Sequence, residues 1–309
     1  MKVHIDNVAC GSTSGPNNFG TRLAKELFNQ NHEVVSTGQD ADVSLVFIER
    51  SGCPLARKVV QRLDGIWFAP DEFRSKNVRI KELYDTADSV IWQSRFDRRV
   101  TSNLWHERLG AVIHNGIELN PVRDIKIPSL MKIRQTYDQV FVCSANWHAQ
   151  KRLKKNIELF DHVRRTQHPN SCLIVLGGNP DAMTSDPHVL YAGNQPAEVC
   201  AEVFAVSNWM FHLAWADHCP NVVIEALSQG TPVVCTNVGG TKEIIGNFGL
   251  VVDEQVRYDH GLFDYKKPPD VDITSVRLPQ KESLGPHVDI DIKNVVRSYI
   301  SEFERVLST

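Results

Sequence analysis

Residues 213–243 read LAWADHCPNVVIEALSQGTPVVCTNVGGTKE. The apolar run from Trp209 to Ala214 predicts a strand, a polar loop with Asp217 follows, and a helix carrying Glu225 comes next. A Gly230-Thr231-Pro232 turn, a short apolar strand at Val233 to Cys235 and a loop with Gly239 and Gly240 complete the stretch. Seven residues separate Asp217 from Glu225, so the two acids bracket the helix start. The first amides of a helix lack intrahelical acceptors and attract phosphate oxygens. A carboxylate near such a start can simply complement the helix dipole. Two of them, followed by the turn and the Gly-Gly loop, suit a ligand with a diphosphate between two hydroxyl-bearing groups: a nucleotide-sugar.

On both sides of this stretch, short apolar runs alternate with helical spacing. Val140 to Cys143 and Cys172 to Leu176 predict strands; Leu153 to Thr166 and Ala197 to Ala205 predict helices. Residues 1–116 show the same alternation. Strands are expected at Val3 to Ile5, Gly65 to Phe68, Ser89 to Trp92 and Ala111 to Ile113, with buried ones at Glu33 to Ser36 and Val43 to Ile48. Helices are expected at Thr21 to Phe28, Leu55 to Leu63, Arg79 to Tyr84 and, with a basic face, Phe96 to Trp105. Such alternation argues for parallel sheets covered on both faces. The proline-punctuated segment ELNPVRDIKIP (residues 118–128) reads as a linker. The expected architecture is therefore α/β, with two Rossmann-like doubly wound domains, residues 1–120 and 121–289, facing across a cleft at the strand C-termini. Residues 255–288 lose periodicity and read as a long surface excursion. Ile290 to Leu307 is an amphipathic helix expected to return to the first domain.

Composition narrows the function classes. A chain of 309 residues accommodates two domains, and a net charge of −3 gives no basic excess for nucleic acid. No apolar run reaches the ~18 residues of a membrane span, and MKVHIDNVACG lacks the core of a signal peptide. The seven cysteines are scattered, which favours buried reduced thiols and a cytoplasmic setting.

Two further stretches carry chemistry. In CGSTSGPNNFGTRLA, Gly11, Gly15 and Gly20 permit a tight loop and close approach of a ligand, although the spacing is not the dinucleotide fingerprint. In SANWHAQKRLKK (residues 144–155), Lys151 and Arg152 follow a strand end where they can neutralise a diphosphate; Lys154 and Lys155 read as solvated. The short acidic pairs Asp40/Asp42, Asp270/Asp272 and Asp289/Asp291 arise easily by chance, and no His/Cys spacing suits zinc. No metal or other cofactor is expected.

The pattern D-x7-E, continuing into EALSQGTPVV and NVGGTKE, resembles the donor-binding region of family 4 glycosyltransferases of the GT-B fold. That family usually shows E-x7-E, so Asp217 is one methylene short. The resemblance implies that Asp217 approaches the sugar hydroxyls, that Glu225 holds the ribose, and that amides of Cys219, Asn221 and Val222 hold the diphosphate. Pro220 has no N–H to offer. Lys151 matches the lysine of the family's R-x4-K pair, while Asn146 stands at the arginine and Arg152 is the available substitute. YAGN brings Gly193 and Asn194 toward the base, and Gly239 and Gly240 belong to the donor loop. VIHNGIEL places His114 at the domain junction; Gly15 is expected to approach donor phosphates, and Asn17, Asp64 and His114 are acceptor-side candidates.

The implied activity is transfer of a sugar from a nucleoside diphosphate to an acceptor hydroxyl on a glycan, lipid or protein, with retention and without metal. Asp217, Lys151 and Arg152 would carry the chemistry. A nucleotide-sugar epimerase of the same plan and a non-catalytic binding protein remain open alternatives, the latter motivated by Asn146 and the shortened Asp217.

Overall fold

Buried β-branched and aromatic runs at regular spacing drive the chain into two parallel sheets. The computed structural model describes residues 1–9, 11 and 14–309; Cys10, Ser12 and Thr13 of the glycine loop lie outside the described residues. The chain forms two units. Unit 1 comprises Met1–Glu118, Asp259–Asp264 and Asp289–Thr309; unit 2 comprises Leu119–Tyr258 and Tyr265–Val288.

Unit 1 contains β1 (Lys2–Asp6), α1 (Gly15–Asn29), β2 (Glu33–Val35), β3 (Val43–Phe47), β4 (Lys58–Leu63), α2 (Phe73–Lys76), α3 (Val78–Thr86), β5 (Ser89–Trp92), α4 (Arg95–Leu104) and β6 (Gly110–Val112). Its sheet order is β2-β1-β3-β4-β5-β6, with every pair parallel. The C-terminal helix (Ile292–Leu307) packs Val295, Val296, Tyr299, Phe303 and Val306 against Phe19, Leu23 and Leu27 of α1 and the strands beneath. Gly116 permits that approach, because a Cβ there would sit 2.8 Å from the Val295 side chain.

Three expectations for this unit are corrected. Leu55 to Leu63 is not a helix: its second half is β4, whose residues from Val59 to Leu63 are all buried, including Gln61 and Arg62. Gly65 to Phe68 forms no strand. Glu33 to Ser36 is an exposed edge strand, β2, in place of a buried one.

Unit 2 contains α5 (Pro128–Thr136), β7 (Gln139–Ser144), α6 (Leu153–Thr166), β8 (Ser171–Leu176), β9 (Val189–Gly193), α7 (Ala197–Val206), β10 (Trp209–His212), α8 (Asn221–Ser228), β11 (Val233–Thr236), α9 (Thr241–Ile245) and β12 (Gly249–Val252). The order is β12-β11-β10-β7-β8-β9, again all parallel. Strand order reverses between β7 and β10, the position at which open α/β sheets bind ligands beyond the strand C-termini.

The reading of residues 255–288 as a surface excursion is corrected in part. Val271, Ile273, Val276 and Leu278 are buried in the unit 2 core with Phe141, Leu159 and Leu173. Glu254 and Val271 form an isolated antiparallel bridge that starts this return. Among the described residues, no helix is long and apolar enough to cross a membrane. The six described cysteines are free, and burial pushes the Cys172 and Cys235 thiols up to about 12.

Candidate functional site

The reversal point of the unit 2 sheet is built from two loops. One leaves β7 as Ala145 to His148, makes a single 3-10 turn at Ala149–Lys151, and enters α6 through Arg152 in a left-handed conformation (φ 54°). The other leaves β10 at His212 and reaches α8 through Pro220. Gln150 staples them: its carbonyl accepts from the Trp215 amide and its Nε2 donates to the Trp215 carbonyl, both at 2.9 Å. Asn156 adds a second clamp, donating to the Arg152 carbonyl at 2.9 Å and accepting from the Leu213 amide at 3.2 Å.

Between the loops, Lys151 Nζ lies 2.5 Å from Asp217 Oδ2, with the two side chains 21% and 14% exposed. His212 Nε2 lies 3.3 Å from the same oxygen without making a geometrically sound hydrogen bond. Burial alone would raise the Asp217 carboxyl pKa. The neighbouring Lys151 ammonium and His212 outweigh that effect and hold it well below the carboxylate range. Asp217 is therefore an anion locked to a cation, and enough of both remains exposed for a ligand to compete.

The backbone under Asp217 is fixed from the other side. Gly240 donates to the Asp217 carbonyl at 2.7 Å, and Asp217 pairs with Gly239 in a parallel bridge. A Cβ at Gly239 would stand 2.7 Å from that carbonyl oxygen, and its φ of +118° excludes a side chain in any case. Ala216 is held at φ 50°, uncommon for a residue with a Cβ. The two glycines expected in the donor loop thus form the floor on which Asp217 stands.

The remaining unit 2 candidates lie along the same edge. Asn221 and Val222 open α8, while Val223 and Ile224 already donate back to the Pro220 carbonyl. Cys219 is buried immediately before them. Glu225 is half-buried one turn into α8. The α7 thiol of Cys200 is pushed up to about 11, first by burial and then by the Glu225 charge. Asn146 is exposed beyond β7 and accepts from Asn179 at 3.2 Å. Gly193 closes β9 at φ 67°, accepting from the Gly177 amide at 2.8 Å, and Asn194 follows it exposed.

Arg152 is a correction. It is 7% exposed and forms a bidentate pair with Glu254 at 2.7 and 3.0 Å. It also donates to the Leu213 and Pro269 carbonyls, and its guanidinium lies 5.4 Å from the Trp215 ring centroid. A fork committed in this way braces the two loops and is not available to neutralise a diphosphate. Lys155 is also not solvated: it pairs with Glu158 and Asp270 at 2.7 and 2.6 Å.

The unit 1 candidates occupy the corresponding strand ends of their own sheet. Gly15 is the exposed first residue of α1. Asn17 accepts from the Ala9 amide at 2.9 Å, pinning the loop after β1 to α1. Gly20 serves packing, since a Cβ there would lie 2.6 Å from the Val8 side chain. Asp64 is ion-paired to Arg62, so its carboxylate is a structural partner in place of a turn cap or acceptor contact. His114 is half-buried beside Asn115, which accepts from Arg62.

Sequence reasoning missed His212, Gln150 and Glu254. A histidine inside a buried strand is a signal that could have been read; the Gln150 staple and the Glu254 pair depend on long-range contacts with no local signature.

Residues 132–259 match the model of the family described as Glycosyl transferases group 1. The Bacillus subtilis (strain 168) protein YtcC is 22% identical over 200 residues, covering 56% of this chain and 49% of that protein. The Escherichia coli O-antigen chain mannosyltransferase B is 22% identical over 225 residues, covering 68% and 55%. The chain thus spans about half the length of the curated relatives it matches. Among solved structures, AviGT4, a glycosyltransferase involved in avilamycin A biosynthesis, aligns over 100% of this chain and 98% of its own with a TM-score of 0.62 at 16% identity. Anabaena Alr3699/HepE in complex with UDP-glucose aligns over 99% and 92% with a TM-score of 0.58 at 15% identity. At such identities the likeness shows the fold. The chain has the GT-B fold, and the part of it that carries the Lys151–Asp217 pair is the part that resembles the glycosyl transferases group 1 model.

Proposed function

We propose that the protein is a glycosyltransferase that moves a sugar from a nucleoside diphosphate to an acceptor hydroxyl, with retention of configuration. The observation that carries the reading is the Lys151–Asp217 pair at the sheet's reversal point, beside the start of α8 and over the Gly239-Gly240 floor. Transfer places growing negative charge on the departing diphosphate. Lys151 and the first amides of α8 are positioned to stabilise it. Asp217 would orient sugar hydroxyls, Glu225 the ribose, and the backbone around Gly193 and Asn194 the base. Retention would proceed with the leaving phosphate assisting deprotonation of the acceptor, so no side-chain nucleophile is required. The GT-B neighbour crystallised with UDP-glucose and the mannosyltransferase relative make a nucleoside-diphosphate hexose the first donor class to test.

The reading assigns charge neutralisation to Lys151 and helix amides, with no metal. The acidic pairs have other work: Asp42 accepts from the Lys2 amide, Asp270 pairs with Lys155, and Asp289 and Asp291 organise the start of the C-terminal helix. Free thiols at all six described cysteines fit a reducing cytoplasm, where we place the reaction.

A thermal-shift panel of UDP, GDP, ADP and their sugars tests the proposal. A true ligand at a hundred times its Kd adds about 2.7 kcal/mol of stability. Loss of the shift in Lys151→Ala and Glu225→Ala supports it. An unchanged shift in both variants, or no shift with any nucleotide, overturns it. Epimer formation from a nucleotide-sugar alone would instead support the epimerase alternative.

A further inference from the structure

His212 closes β10, is 5% exposed, and has a buried Nε2 without a hydrogen-bond partner among the described residues, 3.3 Å from Asp217 Oδ2. The same oxygen is taken at 2.5 Å by Lys151 Nζ. Buried polar atoms are rarely left unsatisfied, and those that are call for an explanation. This one points at the carboxylate that the proposed reaction needs for the sugar.

The chemistry of the pair supplies the explanation. The inference rests on the donor reading above, in which the diphosphate draws the Lys151 ammonium to itself. Asp217 then loses its cation while its backbone stays fixed by Gly239 and Gly240. A carboxylate left in a buried position without a donor is driven toward protonation, and a protonated, reoriented Asp217 would accept sugar hydroxyls poorly. We infer that His212 is a positioning residue for Asp217: its Nε2–H takes over Oδ2 when Lys151 turns to the diphosphate. The carboxylate stays ionised, and Oδ1 is left aimed at the sugar. Both present contacts fall on Oδ2, which is the geometry such an exchange requires. An aspartate, one methylene shorter than the glutamate usual in the family it resembles, keeps its carboxylate close enough to β10 for the histidine to reach.

The test is a titration of wild type, His212→Leu and His212→Asn with the nucleoside diphosphate and the nucleotide-sugar that score in the thermal-shift panel. In His212→Leu, Kd for the nucleoside diphosphate is expected to stay within about twofold, while Kd for the nucleotide-sugar rises about tenfold. His212→Asn, which keeps a donor, is expected to recover most of that increment. Equal weakening of both ligands in His212→Leu together with no recovery in His212→Asn would make His212 a packing residue and overturn the inference. So would unchanged binding of both. A wild-type protein that binds no nucleotide overturns the donor reading and this inference together. One that binds the nucleotide-sugar through Lys151 but ignores His212→Leu sinks the inference alone.

Discussion

Both sheets end in a buried or half-buried cation, and the two cations are held differently. In unit 1, Arg62 is fully buried, paired with Asp64, bonded to Asn115 and Tyr299, and sandwiched with its guanidinium 4.5 and 4.6 Å from the Phe19 and Phe47 ring centroids. Its guanidinium donates to the loops after β4 and β6 and to the C-terminal helix of its own unit. In unit 2, Lys151 has one close carboxylate and remains partly exposed, while its neighbour Arg152 does the bracing. A delocalised five-donor fork suits permanent cross-linking, and a compact ammonium on a flexible stem suits an exchangeable contact. Adjacent residues 151 and 152 thus divide the work that unit 1 gives wholly to structure.

Removing Arg62 should test the contrast most severely. Arg62→Ala is expected to cost about 3–5 kcal/mol by stranding Asp64 and opening the aromatic sandwich. Hydrogen exchange should show the loss in β3 to β5 amides. Arg152→Ala should cost about 3 kcal/mol by stranding Glu254, with exchange accelerating in the 213–220 loop and α6. If Arg152→Ala left stability intact and abolished only ligand binding, the division between bracing and binding would be wrong.

Gly239→Ala is expected to cost about 1–3 kcal/mol through positive-φ strain and the clash with Asp217, seen in the urea midpoint of unit 2. Lys151→Met should cost only about 1.5 kcal/mol, the worth of one charged hydrogen bond, yet remove the nucleotide-induced thermal shift. The smallest effect concerns acid. The folded-state pKa of Asp217 lies below its ordinary 3.8. Its stabilisation is therefore fully present above that value and drains as pH falls toward the lower, folded one. Stability between pH 4 and pH 2 should fall less steeply in Asp217→Asn than in wild type; equal slopes would show that the pair contributes nothing.

The alternation of strands and helices was readable because parallel strands here are dense β-branched runs, and α6 matches its expected limits of Leu153 and Thr166. β4 was misread for a related reason. Leu55, Val59, Val60 and Leu63 fall at near-helical spacing, and a central strand buried on both faces has no alternation to contradict it. Gln61 is tolerated inside because its Nε2 donates to the Ile48 and Ile80 carbonyls, partners that no local pattern reveals. Val271, Ile273, Val276 and Leu278 were hidden by surrounding proline, lysine and aspartate. At the site, Asp217, Lys151 and the Gly-Gly loop had motif spacing to announce them. Arg152 had the same charge and nearly the same position, and only Glu254, about a hundred residues away, decides its fate.

The sharing of the sequence between the units has a consequence for how the protein comes into being. The strands of unit 1 are synthesised first, but the helix that closes its hydrophobic core is supplied by Asp289–Thr309, and a small piece by Asp259–Asp264. Unit 2 draws only on residues between 119 and 288. Domains generally fold as units during synthesis, N-terminal first; here the order inverts. The second sheet can close on the ribosome while the first waits with Phe19, Leu23 and Leu27 uncovered. The helix that covers them, Ile292–Leu307, is made after every strand of unit 2, so the unit that is begun first is the second to be completed.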